Sequence, residues 1–271
     1  MIRGLFAKTI RETWLATLLF GGGLLLAMAL LTHVLPQVQQ GLNTVFTEMP
    51  FVRMLVNALL GADLGKEITS QVMQAILWVH PVVLALVWAH EIVFCTRVPA
   101  GEIDRGTIDV LLGLPVSRRT VYFCETAMWL LSGAIVLALG LAGHLIRAPG
   151  MPVEMRPAMS RIILVMINFY CVYIAVGGVT FLVSAFSDRR GRAVAIVFTI
   201  VLSSFLVNFL ARFWEPAEQV AFLSVMEYYQ PANTLRTGQF PSGDVFTLLV
   251  VGGATWILGS EVFARRSICT L

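Results

Sequence analysis

Three strings in the chain hold residue types that do chemistry elsewhere, and each misses the spacing that chemistry needs. His90-Glu91 begins like the zinc-binding H-E-x-x-H helix, but Phe94 stands where the second histidine would be. Gly61 to Glu67 (GADLGKE) has the outline of a phosphate-binding loop. It has three residues between its glycines where four are needed, and Glu67 where Ser or Thr would hold magnesium. Cys95, Cys124, Cys171 and Cys269 are dispersed with no C-x-x-C pair, which argues against a disulfide framework or zinc site. No metal, nucleotide or cofactor is therefore expected on this chain, and no pair of catalytic groups is in place.

What remains is a polar stretch between apolar runs, Arg97 to Glu125, with Glu102, Asp104, Arg105 and Asp109 at its centre. Ile103, Thr107, Val110, Leu111 and Leu114 fall at i, i+4, i+7, i+8 and i+11, the spacing of one amphipathic helix with those charges on its other sides. Pro115 ends it, because its ring clashes with the preceding turn. Such a helix either rests on lipid headgroups or docks a soluble partner. Arg118 and Arg119 follow at the foot of the next apolar run, and with Arg189 to Arg192 they are expected to anchor headgroups.

The elements that must carry this stretch are membrane spans. With 58% hydrophobic and 13% charged residues, the chain is no ordinary soluble domain, and a net charge of +3 is too small to suggest nucleic acid. Apolar runs predict six spans, at about 15–35, 72–94, 127–146, 162–186, 193–213 and 245–263. Residues 2–13 read as a separate basic amphipathic helix in the headgroup layer, with Ile2, Leu5, Phe6, Ile10 and Thr13 on one side and Trp14 marking the interface. Ala27-Met28-Ala29 imitates a leader cleavage box, but the apolar run continues past it, so a retained span is expected. Gly21 to Gly23 would admit a neighbouring helix, and Ala134, Ala138 and Ala142 form a small-residue ridge suited to packing. His80-Pro81 predicts a kink in the second span, and Glu91 is expected to pair with an arginine of the polar stretch. Pro50 to Gly61 reads as a surface helix in the first long connection.

The string Glu102-x-x-Arg105-Gly106-Thr107-Ile108-Asp109-x-Leu111-Leu112-x-Leu114-Pro115-Val116-Ser117-Arg118-Arg119 resembles the signature loop of ABC-2 type permeases, with Ile108 for Leu and Asp109 for Glu. Tyr228-Tyr229-Gln230-Pro231, Thr237-Gly238 and the closing Arg265-Arg266 are similar to elements around the last span of that family. The resemblance implies an all-α polytopic fold like that of type V ABC exporters. It would have an N-terminal interfacial helix and a coupling helix between spans two and three.

It further implies two copies of a separate ATP-binding subunit carrying ATP and magnesium, a second permease chain, the same or related, and a surround of membrane lipid. Glu102, Arg105, Gly106, Thr107, Asp109, Leu111, Pro115 and Arg118 would make the coupling site. Gly106 would allow close backbone approach, and Pro115 would set the angle to the third span. Spans two and five would line the path, bringing His80, Ser203 and Asn208 near it.

Twelve of the 19 arginines and lysines fall in the N-terminus, 95–126, 187–192 and the C-terminus, which places both termini in the cytoplasm of an inner-membrane protein. An ion- or proton-coupled carrier is the alternative. It needs ionisable groups at the midplane, and His80 alone is placed for that.

Overall fold

The computed structural model describes residues 2–48, 51, 54, 55, 58 and 70–268, and among these every regular element is helical. The helices are α1 (Ile2–Glu48), α2 (Ser70–Val79), α3 (Pro81–Cys95), α4 (Glu102–Asp104), α5 (Ile108–Leu112), α6 (Arg118–Arg147), α7 (Met159–Phe186), α8 (Arg190–Leu210), α9 (Glu215–Glu218), α10 (Pro231–Thr237) and α11 (Ser242–Arg265). Six stretches among the described residues are long and apolar enough to cross a membrane, in α1, α2–α3, α6, α7, α8 and α11. This matches the six apolar runs. The string Gly61 to Glu67, and most of the expected surface helix from Pro50 to Gly61, lie outside the described residues.

The separate N-terminal interfacial helix is not there. Residues 2–13 continue into the first span as one helix of 47 residues. At 1.5 Å per residue it is roughly 70 Å long, more than twice a hydrocarbon core. The reason is a buried stripe that never changes face: Leu5, Thr9, Thr13, Thr17, Gly21, Leu24, Met28, Thr32 and Leu35. Ile2 and Ile10, expected on the apolar side, are exposed. The threonines fit inside because their hydroxyls find partners: Thr13 donates back one turn to Thr9 (2.7 Å) and Thr17 to Thr13 (3.0 Å), while Thr9 gives its one proton across to Glu125 of α6 (2.7 Å).

Two glycine seams bind the bundle. α1 crosses α6 where Gly140 meets Leu24 and Gly143 lies against the backbone of Leu25, while Gly21 faces Leu139. α7 crosses α11 at Gly178, Gly252 and Gly259, each packed against the other helix. Small residues let backbones approach, which is where dispersion gains come from in a bilayer. Of the three consecutive glycines only Gly21 sits tightly; a Cβ on Gly22 would meet nothing. The alanine ridge of the third span is not the packing face. Ala134 and Ala138 are exposed, and Gly133, Val136, Leu137, Gly140 and Gly143 are buried instead.

The second span breaks where expected. α2 ends at Val79, His80 is extended (φ −59°, ψ 131°), and Pro81 starts α3. His80 Nδ1 accepts from Val82 N (3.3 Å), capping the new helix. Span α7 is the most enclosed of the six and α8 the least.

The segments grouped by the arginine count meet at one end of the bundle. Lys8 pairs with Glu102 (2.9 Å), the Arg190 amide donates to Asp104 (3.2 Å), and Arg266 donates to the Ala185 carbonyl (2.8 Å). At the other end Thr32 bonds His144 (3.0 Å) and Tyr229 donates to the Trp78 carbonyl (3.3 Å).

Candidate coupling site

The polar stretch opens on a tight, fully buried π-turn, Arg97–Gly101, held to α7 by the Ala100 amide donating to Ser184 Oγ (3.3 Å). It does not then run as one helix from Ile103 to Leu114. α4 is a single turn, and Gly106 takes φ +67° before α5 starts at Ile108. The sequence periodicity overlooked this break because a glycine with positive φ closes a turn at no steric cost. The Gly106 amide donates to the Ile103 carbonyl (3.0 Å) and the Thr107 amide to Glu102 (3.0 Å). Nothing among the described residues lies within 4 Å of a Cβ built there, so what Gly106 supplies among them is the left-handed turn.

The break sorts the side chains. Ile108 and Leu111 are buried against the spans, and Ile103 and Leu112 pack on the same core. Val110 (75% exposed), Leu114, Asp109, Arg105, Thr107 and Pro115 face outward. A groove of about 380 Å³ runs between this knuckle and α1, with Lys8, Glu12, Thr107, Val110 and Leu114 among its walls. Past Pro115, Ser117 Oγ accepts from the Thr120 amide (3.1 Å) and caps α6.

Arg118 and Arg119, expected as headgroup anchors, are turned onto α11. Arg118 donates to the carbonyls of Phe263 (3.3 Å) and Arg266, and Arg119 pairs with Glu261 (2.6 Å). A cation on the C-terminal carbonyls of a helix offsets its unfavourable place at the start of α6. Arg190 likewise points inward, donating to the Val93 carbonyl (2.8 Å).

Glu102 is buried, and its carboxylate accepts from Thr107 Oγ1 (2.5 Å), Arg105 Nη2 (2.8 Å) and Lys8 Nζ (2.9 Å). It holds the knuckle to α1. Burial alone would push its carboxyl up, but the bonds from Thr107 and Lys8, with the charges of Lys8 and Arg105, outweigh this and hold it below the ordinary value. A depressed folded value means the stabilisation is present above the ordinary carboxylate value of about 4.3 and is lost as pH falls through the folded one. A spin label on Val110→Cys is expected to keep constant mobility from neutral pH down to the ordinary carboxylate value of about 4.3 and to loosen only as pH falls further. With Glu102→Gln added it should be loose throughout. Equal mobility in both chains at neutral pH would disprove the anchoring role.

Arg97 is the centre of a second tie. Its guanidinium bridges Glu12 of α1 and Glu125 of α6, and Thr9 Oγ1 donates to the same Glu125 (2.7 Å). The arginine expected to pair with Glu91 is spent here. Glu91 is fully buried beside Gly177 with no side-chain partner among the described residues. Lys8, Glu12 and Glu125 were missed by sequence reading. The signal was present, since carboxylates flanking apolar runs need a partner, but which cation serves them is a matter of three-dimensional placement.

His80, Ser203 and Asn208 are not drawn together. His80 caps α3, Ser203 lines a cavity of about 430 Å³ with Val176, Val197 and Ser224, and Asn208 is buried, donating to Glu227 (2.8 Å). Neither His80 nor Asn208 lines that cavity.

The site is thus a helical knuckle presented at one end of six apolar helices and braced by ion pairs to the first and third. No curated protein and no solved structure matches the chain. A family model described as ABC-2 family transporter protein matches residues 6–258, nearly the whole chain. That family supplies membrane components of ABC transporters, which generally work with an ATP-binding subunit, and this chain, a multi-pass membrane protein, belongs to it.

Proposed function

We propose that the chain forms the translocation path of an exporter and couples it to ATP hydrolysis on a separate subunit, with the knuckle Arg105 to Pro115 as the docking element. Two ATP-binding subunits and a second permease chain, the same or related, complete the assembly, with ATP and magnesium held on the partners. Both termini face the cytoplasm of the inner membrane, in keeping with the arginine bias. The single observation carrying this reading is the exposed, rigidly braced tip of the knuckle: Val110 and Leu114 are apolar, outward-facing and next to Asp109, beyond a buried Glu102 anchor. Closure of the ATP-binding pair would move this tip. The bridges from Lys8 and Arg97 would pass the movement to α1 and α6 as rigid bodies.

Val110→Glu and Leu114→Glu test it. Each replaces an exposed residue, so the chain itself should lose well under about 1 kcal/mol. The ATP-binding subunit should no longer copurify, and transport should stop. Normal copurification and transport by both variants would rule docking out and leave the lipid-surface reading of this stretch.

A further inference from the structure

We propose that the cleft between α1, α3 and the start of α8 is a binding site for a phosphate group, as carried by a phospholipid headgroup or as free phosphate. The cleft is a cavity of about 320 Å³, roughly the liquid volume of ten waters, which is room for a phosphate and the glycerol esterified to it. Three arginines line it, Arg97, Arg105 and Arg190, with His90, Phe94 and Glu12. Arg97 and His90 are both more than nine-tenths buried, and each keeps a nitrogen without a hydrogen-bond partner: Arg97 Nε and His90 Nε2.

The sign of the site follows from what stands behind the arginines. Glu125 and Glu102 hold Arg97 and Arg105 but do not line the cavity, and Asp104 holds the backbone of Arg190. The single carboxylate on the wall, Glu12, is already engaged by Lys8 and Arg97. Arg97 and Arg105 are already paired, but the Arg190 guanidinium meets only the Val93 carbonyl and Thr96 Oγ1 among the described residues and no carboxylate, so its charge favours an anion, and a planar fork suits phosphate oxygens better than a point charge would. Part of the lining is apolar: Ala16, Val93 and Phe94 lie on its wall, and Leu15 next to Ala16 is exposed. The site needs neither the docking role of the knuckle nor an ATP-binding subunit, so it can fail or stand by itself.

The test is retention of phosphatidylglycerol by the purified full-length chain in native mass spectrometry, with diacylglycerol as the ligand that has the chains and no phosphate. Arg190→Gln and Arg105→Gln are the variants, because Arg97 also braces the fold. Arg119→Gln, whose partner Glu261 lies outside the cavity, is the control. Each cavity variant should weaken phosphatidylglycerol about tenfold or more, the loss expected for one hydrogen bond to a charged group, with the control unchanged. Displacement by excess inorganic phosphate would support free phosphate as a ligand, and its failure would support the phospholipid. Equal retention of diacylglycerol, or native-like binding by both cavity variants, would overturn the proposal.

Discussion

Arg97→Met is expected to destabilise the chain by about 3–5 kcal/mol, because it strands a buried charge rather than deleting a contact. The arginine sits between Glu12 and Glu125 and is buried with Glu125 at the junction of α1, α3 and α6. Methionine keeps much of the volume, so packing changes little. Among the described residues, the carboxylate left behind at Glu125 keeps only Thr9 as a donor. Glu12 is partly exposed and water would compensate it, so the cost falls mainly on Glu125. Lysine should rescue poorly, since one ammonium cannot span both carboxylates as a fork does. The double variant Arg97→Met with Glu125→Gln should recover most of the loss. Denaturant unfolding followed by tryptophan fluorescence measures all three. A loss under about 1 kcal/mol for the single variant, or no recovery in the double, would remove Arg97 from its central place.

Gly143→Leu is expected to pry α1 from α6. Any Cβ at this position falls inside contact distance of the Leu25 carbonyl, a backbone atom that no rotamer change can move. The helices must separate, and contacts along the seam from Gly21 to Leu25 loosen with them. In lipid the packing of close backbones is the main attraction between spans. Overpacking costs typically about 1–3 kcal/mol, and a leucine against backbone belongs at the upper end or above. Gly22→Ala is the internal comparison. Its Cβ would meet nothing within 4 Å, so replacing a helical glycine there should be neutral or stabilising by up to about 1 kcal/mol. Cysteine cross-linking between α1 and α6 together with unfolding midpoints reads both. Equal stability of the two variants would mean the seam does not hold the bundle.

The sequence by itself determined the number of spans, because twenty apolar residues between charged turns have one stable solution in a bilayer. It also determined the break at His80-Pro81, which follows from a missing amide, and the grouping of N-terminus, 95–126, 187–192 and C-terminus, which follows from charge. The Glu102 to Arg119 string carried the likeness to the family whose model matches residues 6–258. Only the tertiary structure decided how those residues pack. Periodicity treated Ile103 to Leu114 as one helix, since a pattern of apolar positions carries no record of the positive φ at Gly106. It put Glu102 among the outward contacts, whereas Lys8, 94 residues away, pulls it inside. It set residues 2–13 on the headgroups, though a threonine stripe that looks half polar in one dimension becomes a buried face once its hydroxyls bond their own helix, as Thr13 does, or a neighbouring one, as Thr9 does. Hydropathy reads each residue against water or lipid. Burial of Glu102, Arg97 and the threonines depends on partners tens of residues away in sequence, or on the geometry of one helical turn, and those arise only when the helices meet.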